Sequence, residues 1–487
     1  MRKLSLKIIS WFGLILSLFL LFGCGDSPTD PDSQFSINLN GGDADPAIDG
    51  SVGGDAGYFY VESYGELTLT ISSDFNIPIP LDPTYGSVPY TVDVNETVQL
   101  DEDTTIGKLY VLTGDTNLYL GDGNILTSDD AVTGLFIPDG ITLKLPDNTS
   151  GNGFWAWLDN DIVINGTVKT DPESLNIYFD TLGNLIVGST GLITTKPVTP
   201  DMNGGDITLL TGIEIFNQGI IDASGVGGGD AASITLDASG AIYNTGTVRA
   251  DGGNSTTGDA GFGGYIDLYA DNDTLFSSGT LSAIGGNAAN GIGGDGGYIY
   301  LENDGTRPQD ILISGILQAN GGSGDLSGGM GGGIDLYAYS DGKCTISNVD
   351  GIMLNGGEGE TGGIGGDMVA YTYSPDPVNT IPAYAIDIDM SISANGGFGS
   401  DTGGDGGIFD IETDTIFFDA STFITTTDIL RADGGDSGTD GGFGGMIDIN
   451  STGAPTFSTF TPSAAGGIGG TSDGGDGDIT IDGILLP

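Results

Sequence analysis

The sequence predicts an all-β chain wound as a right-handed parallel β-helix behind an N-terminal signal segment. Three observations predict it. Pairs of glycines recur at an even spacing through the C-terminal half. A strand follows each pair and keeps its apolar residues in one register. Segments with helical periodicity are nearly absent beyond the start of the chain.

In chain order, residues 1–23 read as a signal peptide. Arg2, Lys3 and Lys7 make a basic start, and Ile8–Phe22 is an apolar run of signal-peptide length, short for a membrane span. The run closes on Leu21-Phe22-Gly23-Cys24. This resembles the lipobox of bacterial lipoproteins, whose Cys is acylated and becomes the first mature residue; Phe22 is bulkier than the residue usual at its place. The resemblance implies lipidation at Cys24. Gly25, where inner-membrane lipoproteins carry Asp, implies outer-membrane or surface delivery. Residues 24–36 then read as a polar, Pro-containing tether, which holds a domain at a membrane without spanning it.

Residues 37–200 read as less regular strands of the same kind. Ser36–Gly42 through Glu62 is one copy of the glycine-pair repeat. Gly140–Leu145, Asp161–Val168 and Asn184–Gly188 carry strand signals, and the Pro-rich stretch Ile77–Pro89 interrupts them.

Residues 201–487 hold the regular repeats. Glycine pairs start at Gly252, Gly285, Gly321, Gly356, Gly396, Gly434 and Gly466, 32 to 40 residues apart. A short strand precedes each, as in Gly246-Thr-Val-Arg-Ala-Asp and Gly315-Ile-Leu-Gln-Ala-Asn. A second glycine pair opens another strand with apolar second and fourth positions. These are Ile266/Leu268, Ile299/Leu301, Ile334/Leu336, Met368/Ala370, Phe409/Ile411 and Ile447/Ile449, and Phe59/Val61 fits the pattern. Period-two alternation sends them to one face.

A single unit cannot bury that face, but units stacked at about 4.8 Å can. Each fully buried Ile or Leu contributes about 1.5–3 kcal/mol. A glycine inside a strand costs about 0.5–1 kcal/mol, so the glycines are expected at corners and loops, with positive φ or close backbone approach. Parallel strands joined without helices imply a β-helix, right-handed by the general rule for parallel connections. The units Gly191–Thr194, Gly219–Gly225 and Gly246–Gly253 resemble the rungs of bacterial surface β-helices, in haemagglutinin-like adhesins and autotransporter passengers. The resemblance implies a fold and a surface habitat, without a ligand. The last residues, Ile481–Pro487, fall within a repeat and lack the long alternating strands of an autotransporter barrel. Lipid at Cys24 is therefore the expected membrane anchor.

The chain of 487 residues has 67 acidic residues, 11 basic ones and no His. Removing residues 1–23 takes three basic residues and no acidic one. Such a chain is no nucleic-acid binder, because phosphate contacts need Lys and Arg. Without His it holds no Ser-His or Cys-His nucleophile. With Cys24 lipidated, Cys344 is expected as a small core residue.

Gly291-Ile-Gly293-Gly-Asp-Gly296 fits the spacing of phosphate-cradling loops. Those loops open a helix, whereas Tyr298–Glu302 alternates as a strand. Gly474–Asp482 approaches a calcium-binding nonapeptide, but Ile479 stands where Asp belongs and no tandem follows. No cofactor is expected, with calcium at Asp-rich loops left open. Glycoside hydrolysis needs two carboxylates at a defined separation. Asp410 and Asp448 share one outward position on neighbouring units, with Glu412 beside Asp410, and form a weak catalytic set.

The outward positions make two columns. The fifth position reads Tyr269, Glu302, Tyr337, Tyr371, Glu412 and Asn450; the third reads Asp267, Tyr300, Asp335, Val369, Asp410 and Asp448. Tyr offers a flat ring with a polar tip, although it also simply favours strands. Tyr269, Tyr300, Tyr337 and Tyr371 are therefore the candidate ligand face, for a glycan or a neighbouring cell surface. The favoured reading is a lipid-anchored envelope protein of structural or adhesive role. The alternative is a polysaccharide-binding or polysaccharide-degrading enzyme on the same fold.

Overall fold

Three long sheets dominate the structure, a computed structural model. It describes residues 161–170 and 175–482, apart from 305–309, 340–343, 348–350, 373–385, 390, 414–415, 419–429, 452–455 and 458–461. It also describes the short strands Thr97–Gln99, Leu135–Ile137, Thr142–Leu145, Phe154–Leu158 and Ile484–Leu485. The signal segment, Cys24, the tether and the Phe59/Val61 unit lie outside the described residues. Among the described residues there is no α-helix, and none therefore long and apolar enough to cross a membrane.

The three sheets contain twelve, eleven and eleven described strands. The chain visits them in rotation. Ile177–Thr181 lies in the first sheet, Leu185–Val187 in the second and Leu192–Thr194 in the third; Ile207–Thr211 then returns to the first, beside Ile177–Thr181. Pairing within the three sheets is parallel throughout, except where Ile484–Leu485 folds back against Asp478–Ile481. The described residues fall within one compact unit.

The inward register is the one the alternation predicts. In the first sheet Ile207, Ile234, Ile266, Ile299, Ile334, Met368, Phe409 and Ile447 pair in succession and are fully buried. Leu209 through Ile449 form a second buried column two residues on, while Ile479 and Ile481 are only partly buried. The third sheet contributes Val168, Ile193, Ile221, Val248, Leu281 and Leu317; the second contributes Leu185, Ile215, Ile242, Leu275, Ile311 and Cys344. Cys344 is thus a core residue, as expected. Polar residues enter this interior as a ladder: Asn217 Nδ2 donates to Asn244 Oδ1 at 2.8 Å, and Asn244 Nδ2 donates to Ser277 Oγ at 3.1 Å. Each amide satisfies the next, which removes the cost of burying it.

The glycine pairs lie between the third sheet and the first, in segments that hydrogen-bond with a three-residue period. Gly261 N–H donates to Gly253 O, and Gly264 N–H donates to Ala250 O. The same pair of bonds recurs as Gly294 to Gly286 with Gly297 to Ala283, and as Gly404 to Gly397 with Gly407 to Ala394. Three residues per turn is the period of an extended polyproline-type helix. The sequence allowed positive φ or close approach as the reason for glycine, and the structure decides between them. Among the described glycines only Gly227 and Gly351 have positive φ. Elsewhere backbones touch: a Cβ on Gly322 would overlap Gly286 O, and one on Gly357 would overlap Gly322 O. The Gly291–Gly296 loop belongs to these segments and runs into the strand Tyr298–Asn303.

Candidate functional site

The outward face of the first sheet gathers the candidate residues. Its parallel register places Tyr269, Glu302, Tyr337, Tyr371, Glu412 and Asn450 on successive strands at one position. Asp267, Tyr300, Asp335, Val369, Asp410 and Asp448 form the neighbouring column. Both columns are those the repeat alignment predicts.

The tyrosines contact one another across the two columns. Ring centroids are 5.4 Å apart for Tyr269–Tyr300, 5.4 Å for Tyr300–Tyr337 and 6.1 Å for Tyr337–Tyr371, all tilted. Glu302 interrupts the fifth-position column between Tyr269 and Tyr337, and Tyr300 fills the gap from the side. Its hydroxyl donates to the Glu302 carboxylate. Tyr339, just past its strand, stacks on Tyr337 at 6.2 Å and 10°. The rings are half-buried, so each leaves one surface to solvent.

A third column was not singled out from the sequence: Tyr265, Tyr298, Gly333, Asp367, Ile408 and Met446. Gly333 explains how it joins the others. The Tyr298 ring lies where a Cβ of Gly333 would be, and from there its hydroxyl donates to Asp335. Tyr337 also reaches Asp335, at 3.5 Å. Beside this column the glycine segments raise an apolar edge, with Phe262, Met330 and Phe443 about half exposed or more. Their amides donate to Asp230, Asp295 and Asp405 of the preceding unit, each at 2.8 Å. A carboxylate in one unit thus holds the apolar residue of the next. The slot reads Asp230, Phe262, Asp295, Met330, Ile364, Asp405 and Phe443, a mixture of Asp and apolar residues that was visible in the sequence.

The electrostatics are one-sided. No Lys or Arg occurs in any described strand of the first sheet. Burial raises the carboxyl groups of Asp237, Asp267 and Asp335 above the ordinary range, and Tyr298 and Tyr337 only partly counter it at Asp335. Burial followed by the neighbouring charge of Asp448 raises Asp410. Tyr298 and Tyr300 are pushed up by burial and by donation to Asp335 and Glu302, so both stay neutral donors.

The catalytic set is brought side by side: Asp410 pairs with Asp448 across adjacent strands, and Glu412 with Asn450. Asp410 and Glu412 are exposed, Asp448 is half-buried, and its Oδ1 is a buried atom without a hydrogen-bond partner. The set lies on the open sheet face and continues the tyrosine columns. Among the described residues no three acidic or Cys side chains converge as a metal cage. No protein-family model matches the chain, and no curated protein or solved structure matches it.

Proposed function

We propose that the chain is a right-handed parallel β-helix that serves as a lipid-anchored binding scaffold on a bacterial outer membrane, with a structural or adhesive role. The rotation of the chain through three parallel sheets supports the fold. The Leu-Phe-Gly-Cys ending of the apolar run supports the anchor at Cys24.

One observation carries the binding role: four tyrosines in successive contact on the outward side of the first sheet, Tyr269, Tyr300, Tyr337 and Tyr371. Their hydroxyls and the carboxylates beside them suit the hydroxyl groups of a glycan, and their rings suit its C–H faces. Replacing Tyr300, Tyr337 and Tyr371 together with Ser should abolish glycan or cell attachment while circular dichroism stays β-rich. Unchanged attachment by the folded triple variant removes the reading. Polysaccharide cleavage that disappears in Asp410→Asn would replace the scaffold by an enzyme. Labelling with an alkyne fatty acid should tag the wild type and not Cys24→Ala; equal labelling removes the anchor.

A further inference from the structure

We infer that the tyrosine face binds a cationic glycan, a polymer of sugars bearing free amines, and the inference rests on the glycan-binding reading above. Charge complementarity on this outward sheet surface names its occupant. Asp237, Asp267, Glu302, Asp335, Asp410 and Asp448 all point outward among the rings, and the sheet's described strands supply no Lys or Arg to pair them. An acidic polysaccharide meets like charge from these carboxylates, and a neutral one brings them no counter-charge. A protonated amine satisfies both elements at once. Carboxylates accept its N–H donors in charge-assisted bonds, and the negative face of a Tyr ring attracts the same cation.

The geometry favours a sugar polymer over a basic polypeptide. The rings lie on successive strands from Tyr269 to Tyr371, so they advance by about 4.8 Å per strand, with centroids 5.4 to 6.1 Å apart. A linear pyranose chain advances by close to one such step per sugar. Side chains on one face of an extended peptide repeat at about 6.8 Å and fall out of step. Burial also leaves Asp267 and Asp335 proton-hungry, so an ammonium that restores their ionised form gains affinity as pH rises through the carboxylate range.

The test compares β-1,4-linked glucosamine oligomers with their N-acetylated counterparts of equal length and with poly-lysine. Binding to residues 24–487 is followed by titration calorimetry. Each charge-assisted bond to a carboxylate corresponds to about tenfold in affinity. The free-amine oligomer should therefore bind at least about tenfold tighter than the acetylated one, and molar salt should shrink the gap. Asp335→Asn with Asp410→Asn should erase the preference, and the triple Tyr→Ser variant should lose both oligomers. Equal binding of the two oligomers overturns the cationic inference and leaves glycan binding standing. Binding of neither overturns the inference, and a negative panel of neutral glycans as well removes the glycan reading. Poly-lysine bound as tightly by the Tyr→Ser variant as by wild type also overturns it, since the rings would then select nothing.

Discussion

The first and third sheets both carry acidic residues outward, and they treat them in opposite ways. In the third sheet Arg249 pairs with Asp222 at 2.6 Å and lies 3.9 Å from Asp251, and Arg431 lies 3.8 Å from Asp433. Burial alone would raise Asp222, but its bonds to Arg249 and Ser224 outweigh that and hold it low. The first sheet has no cation in its described strands, and burial raises its carboxyls. The second sheet offers a further contrast: Val163, Ile186, Phe216, Tyr243, Phe276 and Leu312 form an outward apolar column, with Phe216 stacked on Tyr243 at 5.1 Å. One repeat thus presents a face where Arg249 pairs with Asp222, an apolar face, and a face whose described strands carry carboxylates and no cation.

The largest effect should come from moving charge across the first sheet. Leu301 is fully buried and Glu302 faces outward. Leu301→Asp puts an unpaired carboxylate into the core and should cost about 4 kcal/mol or unfold the chain. Glu302→Lys should stay within about 0.5 kcal/mol. Similar urea midpoints for the two would refute the register.

A smaller loss should follow from breaking the neutralised face. Arg249→Gln leaves Asp222 buried without its cation. Because Arg249 is 38% exposed, water takes part of the charge, and the cost should be about 1–2 kcal/mol, short of the 3–5 for a fully buried pair. Urea unfolding at neutral pH measures it, and no change would show that the pair is ornamental.

The smallest effect is the pH dependence, where the two faces should have opposite signs. Asp222 is lowered on folding, so its contribution is present above the unfolded value and lost as pH falls. Asp267 and Asp335 are raised, so the folded state is favoured at low pH and loses stability as pH rises through the carboxylate range. Unfolding between about pH 3 and pH 6 should therefore show Asp222→Asn removing an acid-side loss. Asp267→Asn should remove a loss on the rising side. The same sign for both variants would break the comparison.

The alternation of Ile266/Leu268 through Ile447/Ile449 determined the core by itself, because a strand's side chains reverse face at every residue whatever the loops do. The glycine-pair spacing likewise determined which strands become neighbours, and with them the two outward columns. Only the tertiary structure decided how those columns interlock. Tyr298 crosses to Asp335 because Gly333 leaves the space, and Tyr300 touches Tyr269 and Tyr337 across the place that Glu302 holds. These are diagonal contacts between units more than thirty residues apart, set by side-chain size and rotamer. The glycines show the same division. Their pattern marked where the chain must be small; the reason, backbone stacked on backbone with a three-residue period, exists only once the units lie on one another.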